Sequence, residues 1–131
     1  MNAGIQFVCT EVAAIGSLVI LALLLAAANT IHAGLSTGGM FSPVEVGQIY
    51  FFGTLIFGFV PTAFFGAPTY FLLSRSGRAR WPWVMAVAML PSALLIGFDA
   101  RLAAITLPCA WAVAALTHLA CRKWVRPHAR S

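Results

Sequence analysis

A chain of 131 residues that is 61% hydrophobic and 8% charged, with mean hydropathy +0.92, departs far from a soluble domain, where about 25% of residues are charged. Eight basic and three acidic side chains are too few to keep so apolar a chain in water, so the solvent for most of its surface is lipid. The net charge of +5 sits in clusters between apolar blocks, which excludes a nucleic-acid binder and points to a bilayer.

Four stretches hold no Asp, Glu, Lys or Arg: 12–44, 46–74, 81–98 and 102–121. Roughly 20 helical residues, or about 17 at the short end, cross a hydrocarbon core of about 30 Å. The sequence therefore predicts an all-α integral membrane protein, a single compact bundle of four transmembrane helices at about 8–30, 46–70, 81–98 and 101–121.

The first stretch is too long for one span, and its second half, HAGLSTGGMFSP, carries the glycines and proline of a loop, so the first helix is expected to end near Thr30. Residues 12–28 followed by Asn29 imitate a signal peptide, but the positive n-region is missing and Glu11 stands in its place, so the segment is read as a retained span. Ala22 and Ala26 offer a face for close helix packing. Glu11 lies one or two turns inside a helix beginning near Ala3, and a carboxylate within a span is a functional candidate by default. The structural alternative is an interfacial Glu paired with Arg75, Arg122 or Lys123. CTEVAAIG resembles the first helix of small multidrug transporters in carrying a single carboxylate, which implies exchange of a proton for a cation at Glu11; no other stretch follows that family's pattern.

SPVE, at 42–45, has the form of a capping box, with Pro43 at the first helical position and Glu45 reaching back to Ser42. Within the second span, Thr54, Gly58, Thr62 and Gly66 recur every four residues and predict a helix contact face, while Pro61 and GAPTY at 66–70 interrupt the backbone bonding. LLSRSGRARWPW follows, a basic loop at 74–80 with Arg75, Arg78 and Arg80, closed by Trp81 and Trp83 of the kind that anchor at the headgroup boundary.

The third span contains Pro91 and ends in IGFDAR, where Gly97 stops one helix and Asp99 caps the next. In the fourth, Thr106, Ala110 and Ala114 form a second small-residue face that His118 extends, and Pro108 bends the helix. HLAC at 118–121 spaces a His and a Cys on one face. Two ligands do not make a metal site, and Cys9 or His128 has no reason in sequence to complete one, so neither metal nor cofactor is expected. Cys9, Cys109 and Cys121 imply no disulfide framework.

Arg122, Lys123, Arg126 and Arg130 form a basic tail at 122–131, on the same side as the 74–80 loop after an even number of crossings. The other connections hold only Arg101, so both termini are expected in the cytoplasm, with the two clusters setting topology and meeting anionic headgroups. Arg outnumbers Lys seven to one and alanine is abundant, which favours a bacterial inner membrane.

No phosphate loop, nucleophile elbow, zinc-protease motif or paired carboxylates occur, so no catalytic residue is assigned and an enzyme is not expected. The function read from the sequence is helix–helix interaction with another membrane protein or a membrane-acting toxin, as an immunity protein, exclusion factor or accessory subunit. The alternative is a homo-oligomeric transporter or channel for a small solute or cation that uses Glu11.

Overall fold

The computed structural model describes residues 2–36, 38–78, 80–97 and 99–125, with the side chains of 95, 96, 102 and 122–125 outside that description. Every regular element among these residues is helical: α1 (Ala3–Leu35), α2 (Pro43–Pro61), a π-helical segment (Thr62–Gly66), α3 (Ala67–Arg75), α4 (Trp81–Ile96) and α5 (Ala100–Val125). Three helices are long and apolar enough to cross a membrane: α1, the continuous rod Pro43–Arg75, and α5 through its Ala103–Cys121 portion. The fourth apolar stretch forms α4, whose 16 residues measure about 24 Å, shorter than a full hydrocarbon core.

α1 continues past Thr30 to Leu35. The one glycine in this extension, Gly34, costs it less than the next turn of backbone bonds returns, and Ser36 then closes it, donating from its amide to Ala33 O at 3.3 Å and from its hydroxyl to His32 O at 2.9 Å. Gly38 at φ +99 turns the chain in a conformation that a side chain resists.

The next helix starts at the capping box expected at 42–45. Ser42 Oγ accepts from the Glu45 amide at 3.3 Å, and Glu45 Oε2 accepts from the Ser42 amide at 2.8 Å. The rod then passes through both prolines without breaking. Pro61 has no N–H to bond Phe57 O, and the chain absorbs the missing bond by widening into the π segment, where the Ala67 amide donates to Thr62 O, five residues back.

α3 ends in a Schellman motif. The Gly77 amide donates to Ser74 O and the Arg78 amide to Leu73 O, with Gly77 at φ +67 making the left-handed step. α5 opens as IGFDAR predicts: the Arg101 amide donates to Asp99 Oδ1 at 2.7 Å, and α4 stops at Ile96 before Gly97.

Packing centres on α1, which lies against α2, α3 and α5, while α4 packs chiefly on α5. The buried stripe of α1 is Thr10, Ala14, Ser17, Leu18, Leu21 and Ala22, small or branched residues at three- and four-residue spacing. Small residues on the partners let the backbones approach. A side chain at Gly58 would collide with Leu18, and one at Gly47 with Thr30.

Candidate functional site

Apart from Ser92, the polar residues that the bundle buries gather where α1, α3, α4 and α5 meet, towards the end holding the N-terminal part of α1, the helix α3, the start of α4 and the last turns of α5. Tyr70, Val84 and Cys121 form its core, with Ala13, Leu73 and Ala114 packed around them. The Tyr70 hydroxyl is hydrogen-bonded to His118 Nδ1 at 3.2 Å, and the His118 ring meets Trp81 edge-on at 5.4 Å. One imidazole thus ties α5 to both α3 and α4. Tyr70 and Trp81 are 11 residues apart across the basic turn, so the contact also fixes that turn against the bundle.

Nearer the middle, the Thr117 hydroxyl donates to Ser17 Oγ at 3.3 Å, joining α5 to α1. Both residues are 4% exposed and both also bond a carbonyl of their own helix, Ser17 to Ala13 O at 2.7 Å and Thr117 to Val113 O at 2.7 Å. Thr10, also 4% exposed, donates to Gln6 O at 2.9 Å, and at the far end the Thr106 hydroxyl reaches Ser92 Oγ at 3.5 Å. Among the described residues every buried side-chain nitrogen and oxygen has a partner. This is the condition lipid imposes, because it offers no partner to a stranded hydroxyl.

Glu11 lies next to this cluster on α1, half-buried, with no hydrogen bond or ion pair among the described residues. Arg75, one of the partners considered for it, instead places its guanidinium 5.8 Å from the centroid of the Phe71 ring, which Phe7 of α1 meets edge-on. The other two, Arg122 and Lys123, are described in backbone only, and Arg126 lies outside the described residues. Arg75, Arg78 and Arg80 are all exposed around the Schellman turn, beside exposed Trp81 and Trp83.

Of the small-residue stripe on the second span, Thr54, Gly58 and Thr62 are half-buried and Gly58 faces Leu18, but Gly66 is exposed. The π segment explains the shift: one extra residue in the turn rotates everything beyond it, so Ala67 and Tyr70 take the buried positions that a four-residue repeat assigns to Gly66. Ala110 and Ala114 of α5 are half-buried, and Ala114 packs on the Tyr70 cluster. Sequence reasoning missed Gly47, which the small-residue rule reaches only by extending the stripe back past Thr54 out of register, and the Ser17–Thr117 pair, separated by 100 positions with no local signal.

No three His, Cys, Asp or Glu side chains among the described residues converge in a way that would hold a metal. Shallow depressions of about 420 and 500 Å³ lie at the opposite end, between α1 and α2, lined by residues such as Met40, Phe41, Thr30 and Phe52. Set against protein-family models, curated proteins and solved structures, the chain matches none of them.

Proposed function

We propose that this chain is a multi-pass protein of a bacterial inner membrane, a four-span bundle with both ends in the cytoplasm. It acts by binding another membrane protein or a membrane-acting toxin through helix–helix contact, as an immunity protein, exclusion factor or accessory subunit does. The observation that carries the reading is the imbalance between the two long apolar helices. The most apolar window of α1 is 28% buried within the chain, whereas that of the Pro43–Arg75 rod is only 6% buried. Phe57, Phe64 and Phe65 project from it with exposures of 83%, 70% and 58%, so the rod offers a long aromatic face to whatever lies beside it in the bilayer.

α4 completes the count of spans in this reading. At about 24 Å it crosses only with help from its flanks, and it has that help: Arg80, Trp81 and Trp83 at one end, Asp99 and Arg101 at the other. The test is site-specific photocrosslinking in cells. A photoreactive residue at Phe57 or Phe64 should capture one discrete membrane protein, while the same residue at Asn2 should not; labelling of lipid alone from all positions sinks the reading.

A second reading, transport by a homo-oligomer, is favoured by one observation: Glu11 is half-buried beside the polar cluster and engaged by no hydrogen bond or ion pair among the described residues. Glu11→Gln separates the two, because a coupled carrier loses transport with its fold intact and an interaction protein keeps its partner.

A further inference from the structure

The α3–α4 turn carries the densest charge among the described residues, with Arg75, Arg78 and Arg80 exposed within six positions and no carboxylate between 46 and 98. Its backbone is built rather than loose. The Ser76 amide donates to Leu72 O at 3.0 Å, the Gly77 amide to Ser74 O at 3.3 Å, the Arg78 amide to Leu73 O at 3.0 Å and the Arg80 amide to Arg78 O at 2.6 Å. The turn is held at both ends. Arg75 lies over Phe71, which Phe7 braces from α1, and Trp81 lies against His118 of α5. Three guanidiniums therefore stand on a fixed frame, and two indoles, Trp81 at 46% and Trp83 at 55% exposure, flank them on the apolar side.

That pairing of features matches one ligand class. A phosphodiester accepts two parallel N–H bonds from a guanidinium, indole rings settle at the glycerol and headgroup level, and acyl chains follow the apolar flank of a helix below. We propose that the α3–α4 turn is a binding site for an anionic glycerophospholipid, its phosphate held by Arg78 and Arg80 and its glycerol region lying against Trp81 and Trp83. The site rests on the chain lying in a membrane but on neither the identity of a protein partner nor the number of spans. Arg75, engaged by Phe71, positions the turn rather than the phosphate.

The test uses the full chain purified in a mild detergent, offered equal amounts of phosphatidylglycerol and phosphatidylcholine, with the retained lipids counted by native mass spectrometry. Wild-type protein should retain phosphatidylglycerol in preference, and the R78Q/R80Q pair should lower that preference about tenfold. R78K/R80K should retain it in part, since a point charge attracts the phosphate without the forked geometry. Arg101→Gln, at the opposite end of α4, should leave it unchanged. Matching far-UV circular dichroism of all variants shows that folding is not what changed.

Equal retention of the two lipids by wild-type protein, or an equal loss from Arg101→Gln, overturns the proposal. So does a turn variant that keeps its lipids but sheds a co-purifying acidic protein, which would make the turn a protein-docking element. A missing lipid preference leaves the photocrosslinking result from Phe57 standing, and a missing crosslink leaves the lipid result standing, so the two fail separately.

Discussion

Replacing Gly58 by alanine tests the α1–α2 contact with a single methyl group. A Cβ at Gly58 would lie 2.6 Å from Leu18 Cδ1, with Cδ2 and Cγ at 3.5 and 3.6 Å. Carbon atoms in good contact stand about 3.5–4.0 Å apart, so the nearest pair must separate by about 1 Å. Leu18 is 3% exposed and flanked by the rest of the buried stripe of α1, which leaves it little room to change rotamer. Overpacking of this kind costs about 1–3 kcal/mol, while alanine in place of glycine in a helix returns up to about 1 kcal/mol. The net expectation is a loss of about 1–2 kcal/mol. Gly53 lies five residues earlier on the same helix and a Cβ there meets nothing within 4 Å, so Gly53→Ala should be neutral or stabilising by up to about 1 kcal/mol. The assay is unfolding in mixed micelles with increasing dodecyl sulfate, followed by far-UV circular dichroism. In the double variant L18A/G58A the alanine at 58 finds the space it lacked, so the two changes should be markedly non-additive. If Gly58→Ala behaves like Gly53→Ala, or if its cost persists unchanged in the Leu18→Ala background, the close approach of α1 and α2 at this point is wrong.

The polar contacts give smaller effects. Ser17→Ala should cost only about 0.6 kcal/mol in the same micelle assay, because Thr117 keeps its bond to Val113 O; a loss above about 2 kcal/mol would mean the pair carries more than packing. Tyr70→Phe removes the bond to His118 Nδ1 and keeps the ring contact, so a loss of about 0.5–1.5 kcal/mol is expected together with a shifted His118 imidazole resonance, and an unmoved resonance would deny the contact. Glu11→Gln should leave copurification with a membrane partner intact; loss of partner with retained fold would place Glu11 in the interface. Reporter fusions after Gly39 and after Gly77 should fall on opposite sides of the membrane, with Gly77 cytoplasmic, and the reverse orientation would overturn the reading of the arginines.

Much of the helical architecture is legible because each signal is local and forced by the solvent. Apolar runs of membrane length become helices since lipid satisfies no backbone group, and the caps at Ser42 and Asp99 follow from the same need at the helix starts. The end of α1 is misjudged near Thr30 because glycine and serine read as loop in water, whereas the helix continues through Gly34 to Leu35, where extended Ser36 closes it. The turn of the second helix after Pro61 is illegible for a different reason. Proline announces that a bond is missing but not whether the chain kinks, breaks or widens, and the π segment that results rotates Ala67 and Tyr70 inward in place of Gly66. Around the candidate site, HLAC marked His118 as unusual, but its partners Tyr70 and Trp81 lie 48 and 37 positions away and only packing shows them.

The most direct measurement of the central claim is affinity purification of the tagged chain from bacterial membranes in a mild detergent, with mass spectrometry of the components and a mass for the intact complex. Binding through the exposed face of the Pro43–Arg75 rod predicts a stoichiometric second membrane protein or a membrane-acting toxin, released by charged substitutions at Phe57 and Phe64. A particle containing only copies of this chain, unchanged by those substitutions, would contradict the account.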